Sequence, residues 1–331
     1  MTATEFDLIE RYFSDIGVQR HDVALSIGDD CALLASLPDN LLAVSMDTLV
    51  SGVHFLPATD PVALGHKALA VNLSDLAAMG AKPAWVTLAL TLPQIDTRWL
   101  AGFSQGFAAL ARQYSVQLIG GDTTSGPLAI TVQAHGWVAP QHALRRDKAC
   151  VGDRIFVTGT LGDAALALAL LKENTGRTHQ SKADAINQHR FDELRNRLER
   201  PTARIEQGLD LAGLANAAID ISDGLAQDLG HILRRSGVGA ELWVERLPLS
   251  TALAAQLQPL DALKLALSGG DDYELCFTLA SERMAEFEQR AAAWACAYTE
   301  IGQICCEQGL HCLWDDGTSF LLESGGYEHF R

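Results

Sequence analysis

From Pro61 to Met79 the chain is dominated by Ala, Leu and Val, and one carboxylate, Asp75, interrupts it within Val71-Asn-Leu-Ser-Asp-Leu-Ala-Ala-Met-Gly-Ala81. Asp60 followed by Pro61 reads as an N-cap and first helical position, and Gly80 with Pro83 closes the far end. The pattern predicts one helix from Pro61 to about Met79, apolar around most of its circumference and therefore buried. Asp75 goes inside with it. At helical spacing its neighbours are Val71, Asn72, Ala78 and Met79, and none carries positive charge. An unpartnered buried carboxylate costs on the order of several kcal/mol, so something must answer it. A distant Lys or Arg, a metal ion, or plain hydrogen bonding to a neighbouring loop would each serve.

A chain of 331 residues accommodates two domains of ordinary size. The polar stretch Pro140–Gly152 puts the division near residue 150, giving domains of 1–148 and 149–331. Nowhere does an apolar run reach membrane-spanning length, and Met1–Glu10 carries acids without a basic leader, so a cytoplasmic location is expected. Seven cysteines with no CxxC pair argue against a disulfide framework or a zinc site. The net charge of −16 disfavours nucleic acid and anionic membranes as partners, and suits a protein that gathers cations.

Read in order, the chain alternates strand-like and helix-like stretches. Phe6–Phe13 reads as an amphipathic helix, and Ile27-Gly-Asp-Asp-Cys-Ala32 then sets two adjacent acids behind a glycine. Leu41–Val44 predicts a strand with Asp47 at its C-terminal mouth. A strand is expected at Trp85–Leu92 and a helix at about Thr97–Tyr114. Val116–Ile119 should be a strand that delivers Gly120-Gly-Asp-Thr-Thr124, and Leu128–Val138 a long strand holding His135. In the second half, Arg154–Thr158 runs into the Gly159–Gly162 turn and an Ala/Leu-rich helix, and Glu173–Arg190 reads as a mobile surface insertion. Ala217–Ile221 should be a strand holding Asp220, followed by Ser222-Asp-Gly224 and a helix from about Leu225. Ser268-Gly-Gly-Asp-Asp-Tyr-Glu274 lies between apolar segments, and the chain closes on Gly325-Gly-Tyr-Glu-His-Phe330.

Acidic elements thus recur at strand ends and helix faces: Asp29/Asp30, Asp47, Asp75, Asp122, Asp220/Asp223 and Asp271/Asp272. Singly, each reads as turn chemistry or a helix cap. Together they supply the several oxygen ligands that a hard divalent cation wants, with phosphate completing the shell. That points to phosphate chemistry. The chain has neither a GxxxxGK[ST] loop nor the protein-kinase set. The Gly159–Gly162 turn could meet a phosphate but reads more simply as a strand-to-helix turn, and His54 alone reads as a polar residue at a strand edge.

Ile27-Gly-Asp-Asp-Cys-Ala-Leu-Leu34, Asp47-Thr-Leu-Val50, Lys67–Gly80, Ile119-Gly-Gly-Asp-Thr-Thr124, Ile219-Asp-Ile-Ser-Asp-Gly-Leu225 and Ser268-Gly-Gly-Asp-Asp-Tyr-Glu-Leu275 together resemble the bacterial thiamine-monophosphate kinases, in order and at family-like spacing from about Glu5 to Phe330. The resemblance implies the two-domain α/β fold of the aminoimidazole ribonucleotide synthetase-like, or PurM-like, superfamily. In it an N-terminal sheet pairs across a homodimer and a larger C-terminal α/β domain follows. It further implies transfer of the γ-phosphoryl of ATP to thiamine monophosphate, with several Mg²⁺ ions bridging the phosphates.

By the same resemblance, Asp30, Ser45, the main chain of Met46, Asp47, Asp75, Asp122, Asp220 and Asp223 stand at metal positions. Gly121, Asp122, Arg146 and Ser222 stand where the nucleotide is held, and His54, Asp271 and Tyr327 where the thiamine substrate is held. The inventory suits that chemistry, because the acceptor is already an anionic phosphate oxygen and needs no strong general base. Asp271 and Tyr327 would suit a cationic thiazolium ring through charge and cation–π attraction. Another ATP-using enzyme of the superfamily, or a noncatalytic metal-binding protein, are the rival readings.

Overall fold

The computed structural model describes residues 5–174, 188–322 and 326–327. They form two compact units, one from Met1–Leu76 with Ala81–Gln141, the other from Ala77–Gly80 with His142–Arg331.

The first unit contains α1 (Glu5–Tyr12), β1 (Val23–Leu25), β2 (Leu33–Leu34), β3 (Leu41–Val50), all but the last two residues of α2 (Pro61–Ala78), β4 (Lys82–Leu92), α3 (Thr97–Gln113), β5 (Gln117–Ser125) and β6 (Ala129–Val138). Its four-stranded sheet has the order β3-β6-β4-β5, parallel between β4 and β5 and antiparallel elsewhere. Both ends of α2 follow the sequence signals. The Asp60 carboxylate accepts the Ala63 N–H at 3.0 Å. At the far end Gly80 N–H donates to Ala77 O and Ala81 N–H to Leu76 O, the paired bonds of a Schellman ending. Asp96 caps α3 by accepting from Arg98 and Trp99 N–H, and Leu100, Phe103, Phe107 and Leu110 form its buried stripe. The two helices meet backbone to backbone. A Cβ on Gly106 would stand 1.9 Å from Val62 O and one on Gly65 2.0 Å from Phe103 O, so neither position has room for a side chain.

Along β6, Ile130, Val132, Ala134 and Val138 are buried, while Thr131, Gln133, His135 and Trp137 on the other face are half-buried. The same alternation corrects two expectations about strand ends. β3 does not stop at Val44: it runs on to Val50, so Asp47 lies within the strand, opposite Val132. Ser45 and Asp47 share one face and bond to α2, while Val44 and Met46 share the other, and this period of two carries the strand through its polar residues. β5 likewise continues to Ser125 in parallel register with β4, so Gly120–Thr124 belong to the strand itself.

The second unit contains β7 (Arg154–Thr158), α4 (Asp163–Asn174), α5 (Gln188–Glu199), α6 (Ile205–Leu211), β8 (Ala217–Ile221), α7 (Leu225–Ser236), β9 (Gly239–Trp243), α8 (Thr251–Ala254), α9 (Pro259–Ser268), β10 (Glu274–Leu279), α10 (Met284–Ala291), β11 (Tyr298–Cys305) and β12 (Gly309–Leu313). The sheet order is β12-β9-β11-β7-β10-β8, with β12 and β9 parallel and every other pair antiparallel. Ile155, Val157, Ile219, Ile221, Leu225, Leu229 and Ile232 pack together in one core. Phe156, Phe277, Phe287, Trp294 and Tyr298 form an aromatic cluster, with ring centroids 4.7–6.5 Å apart. Strands at Arg154–Thr158 and Ala217–Ile221 and a helix from Leu225 stand where the sequence predicts them. Of the Glu173–Arg190 expectation, residues 175–187 lie outside the described residues, and of the closing Gly325–Phe330 only Gly326 and Tyr327 are described.

Glu274 is fully buried at the start of β10 and binds three partners. Its carboxylate accepts from both Arg204 Nε and Nη2, from Arg197 Nη2 at 2.6 Å and from the Thr158 hydroxyl at 2.6 Å. Burial works against its charge, but these bonds and the two guanidinium charges outweigh burial and hold the carboxyl below its ordinary range. Asp272, two residues earlier and 2 % exposed, accepts the Gly162 N–H with both oxygens, and burial pushes its carboxyl well above the usual value. Gly159 and Leu161 N–H are also taken, by Ala297 O and Pro248 O, so the Gly159–Gly162 turn is a strand-to-helix connection with three of its N–H groups bonded internally.

Candidate active site

In the first unit α2 and β3 bring the expected residues together. The Ser45 hydroxyl donates to Asp75 Oδ2, and the Asn72 Oδ1 accepts the N–H of Asp47 at 3.1 Å. Asn72 in turn is steadied by its own helix, its Nδ2 donating to Ala68 O at 3.1 Å. Asp75 is half-buried, not sealed inside the helix packing; the fully buried polar residues of α2 are Lys67, Asn72 and Ser74. Partial exposure at the rim of the helix packing, together with the Ser45 bond, meets much of the desolvation cost expected for it. The Met46 side chain is 61 % exposed on the opposite face of β3, which leaves its main chain beside Ser45 and Asp47.

Asp30 is exposed between β1 and β2, its N–H bonded to the Asp29 carboxylate at 2.8 Å. Asp122 is exposed on β5 opposite Ala89. Beside it, Gly121 has no room for a side chain, since a Cβ there would stand 1.9 Å from Leu88 O. His54 follows β3 and folds back on it: its Nδ1 accepts the Val50 N–H at 3.0 Å and its own N–H donates to Val50 O at 3.0 Å. In the neutral ring the proton therefore sits on Nε2.

In the second unit the expected residues converge on the turn after β8. Asp220 is 4 % exposed and lies opposite Leu275, and Ser222 and Asp223 follow it, half-buried. The Asp271 N–H donates to Ser222 O at 2.8 Å, and the Tyr327 N–H to Asp223 O at 3.0 Å. Asp271 takes a left-handed backbone conformation, φ 68°, and receives the Tyr273 hydroxyl at 2.9 Å. Arg146 is exposed; its carbonyl accepts the Ser236 hydroxyl at 2.9 Å, and its charge is felt at His231 on α7, as is that of Asp223. Burial, then Arg234 and Arg146, lower the His231 pKa.

Sequence reasoning missed two residues. Asn72 was visible only as an uncharged neighbour of Asp75, yet it holds Asp47. Asp228, 3 % exposed on α7, reads in sequence as an ordinary first-turn acid, yet its Oδ2 accepts three consecutive N–H groups from Ser222, Asp223 and Gly224, at 3.0, 3.0 and 3.2 Å. Burial pushes its carboxyl up to about 7 in spite of those bonds, and the Asp223 charge adds to the rise.

Among the described residues no three Asp, Glu, His or Cys side chains converge as a ready-made metal cage. The donors present are nevertheless of one chemical kind: carboxylates, a serine hydroxyl and main-chain carbonyls, all hard oxygen. That set fits Mg²⁺, which keeps several waters and is bound through one or two carboxylates together with phosphate oxygens.

Comparison with known proteins adds a family frame. Residues 28–138 match the family model of the AIR synthase related protein, N-terminal domain, and residues 151–315 that of the C-terminal domain. A thiamine-monophosphate kinase of Escherichia coli (strain K12) is 49 % identical over 331 residues, covering 100 % of this chain and 99 % of that one. The crystal structure of thiamine-monophosphate kinase from Stenotrophomonas maltophilia K279a superposes with a TM-score of 0.83 at 49 % identity, covering 91 % of this chain and 93 % of that one. The structure of AaThiL complexed with AMPPCP and TMP gives 0.75 at 34 %, covering 92 % of each.

Proposed function

Because the chain belongs to the AIR synthase related family, and within it to the thiamine-monophosphate kinases, we infer that it transfers the γ-phosphoryl of ATP to the phosphate of thiamine monophosphate, giving thiamine diphosphate and ADP. The observation that carries this is the end-to-end match to the Escherichia coli kinase. The AaThiL complex with AMPPCP and TMP supports both substrates.

The acceptor oxygen is already anionic, so the protein's task is to hold two polyanions in line and to answer the charge that develops between them. We assign Mg²⁺ binding to Asp30, Ser45, the Met46 carbonyl, Asp47, Asp75, Asp122, Asp220 and Asp223. When bound, Mg²⁺ supplies charge neutralisation and a template for the phosphates. The Ser45–Asp75 bond fixes one carboxylate against β3, and Asn72 fixes the Asp47 main chain beside it. Gly121, Asp122, Arg146 and Ser222 are assigned to the nucleotide. His54, Asp271 and Tyr327 receive the thiamine moiety, the last two through charge and cation–π attraction to a thiazolium ring.

The working form is a homodimer. On the face of β3 turned away from α2, Leu42, Val44 and Met46 are 48 %, 52 % and 61 % exposed, an apolar strip on an edge strand that a second copy of the sheet would cover. Free thiols at all seven cysteines and the need for ATP fit the cytoplasm. Among the described residues no helix is long and apolar enough to cross a membrane.

Incubation with Mg²⁺, ATP and thiamine monophosphate, followed by separation of products, tests the reading. Equal amounts of thiamine diphosphate and ADP are expected. ADP without thiamine diphosphate would move the assignment to another acceptor.

A further inference from the structure

We propose that Asp228 is a positioning residue for thiamine monophosphate: through three successive peptide groups, one of its carboxylate oxygens sets where Asp271 and Tyr327 stand. This rests on the functional reading above.

The geometry is a fan of three relays. The N–H groups of Ser222, Asp223 and Gly224 all donate to Asp228 Oδ2. Each of these N–H groups shares its peptide unit with the carbonyl of the preceding residue. Those three carbonyls, of Ile221, Ser222 and Asp223, accept the N–H groups of Tyr273, Asp271 and Tyr327 at 2.8, 2.8 and 3.0 Å. Every arm therefore runs from the same buried carboxylate through one peptide to one backbone N–H of a segment to which substrate binding is assigned above. A hydrogen bond at one side of a peptide polarises it and strengthens the bond at the other, so the acceptor at the hub reinforces all three outer contacts.

Those outer contacts hold segments that need holding. Asp271 and Tyr273 both sit at positive φ, 68° and 51°, which costs energy for residues with side chains. Tyr327 lies beyond β12 and rests on Asp223 O and on Gln227, whose Nε2 donates to the Tyr327 carbonyl at 2.8 Å. Ser222, by contrast, follows directly on β8, whose last residue Ile221 is paired with Glu274. Weakening the hub should thus release Asp271 and Tyr327 before it displaces the nucleotide contact at Ser222.

The experiment is steady-state kinetics of the full chain with Mg²⁺, varying each substrate in turn, for wild type, Asp228→Asn, Tyr327→Ala and the double variant. Asn keeps the shape and one acceptor oxygen but removes the charge. The expected result is a rise of about tenfold in KM for thiamine monophosphate, with KM for ATP within about twofold of wild type, and a double variant whose KM rise is less than the product of the single ones. Equal changes in both KM values, no change in a folded variant, or effects that multiply independently would overturn the proposal. If Asp228→Asn yields no folded protein, Asp228→Glu, which keeps the charge but displaces it, must show the same selective rise. Failure of the wild type to make thiamine diphosphate would strike the functional reading, whereas unchanged KM values in an active Asp228→Asn strike the positioning role alone.

Discussion

Ser45 on β3 gives its hydroxyl proton to the carboxylate of Asp75, thirty residues later on α2. The bond joins an edge strand to a helix in which Lys67, Asn72 and Ser74 are buried, and it leaves Asp75 only half-buried. A carboxylate oriented in this way and only half-buried suits metal-assisted phosphoryl transfer.

Replacing Asp75 by Asn keeps the size and the bond to Ser45 but removes the charge. We expect a folded protein whose melting temperature stays within a few degrees of wild type, and a kcat lower by about 10²-fold or more. Parallel melting curves and steady-state assays check this. An inactive and unfolded variant would favour a purely structural Asp75.

Metal uptake should depend on nucleotide. With the described carboxylates not gathered into a cage, Mg²⁺ titrated calorimetrically into the protein alone should bind weakly, and at least tenfold more tightly once a nonhydrolysable ATP analogue is present. Tight uptake without nucleotide would instead describe a metal-binding protein.

Glu274 should be worth more to stability than any surface ion pair. Glu274→Gln leaves the Arg197 and Arg204 guanidinium groups facing a neutral partner, and urea unfolding near neutral pH should show a loss of about 3–5 kcal/mol. Because its folded pKa lies below the ordinary 4.5, the contribution is fully present above that value and disappears as pH falls through the folded value. The acid limb of the wild-type stability curve should be shallower in the variant.

Asp272 should behave in the opposite sense. Its folded pKa lies above the ordinary 3.8, so the native state holds a proton that the unfolded chain releases, and stability falls as pH rises from that value towards the folded one. Asp272→Asn retains an acceptor for the Gly162 N–H and should be at least as stable as wild type at neutral pH, with that decline removed. Denaturant titrations at several pH values distinguish the two curves.

Placing a charge on the exposed face of β3 should separate the proposed homodimer. Met46→Asp is expected to give a monomer by light scattering coupled to gel filtration, with the secondary structure retained. A dimer that survives this change would put the interface elsewhere.

The central helix and its caps were legible in sequence because Asp60, Pro61 and Gly80 act locally, and so were the strands that end in Thr158 and Ile221. The lengths of β3 and β5 were not. Ser45, Asp47 and Gly120–Thr124 read as loop chemistry until partners on α2 and the register against β4 are known, and those are contacts across long stretches of chain. The acids of the candidate site were visible by type and number, whereas Asn72 and Asp228 act through backbone N–H groups and carry no sequence signal. The degree of Asp75 burial was likewise set by β3, which the helix periodicity cannot report.

The most direct test follows the label of [γ-³²P]ATP in the presence of Mg²⁺ and either thiamine monophosphate or free thiamine. Label in the terminal phosphate of thiamine diphosphate, formed one for one with ADP and absent with free thiamine, is the predicted result. Label released only as inorganic phosphate, or transferred to thiamine itself, would contradict the account.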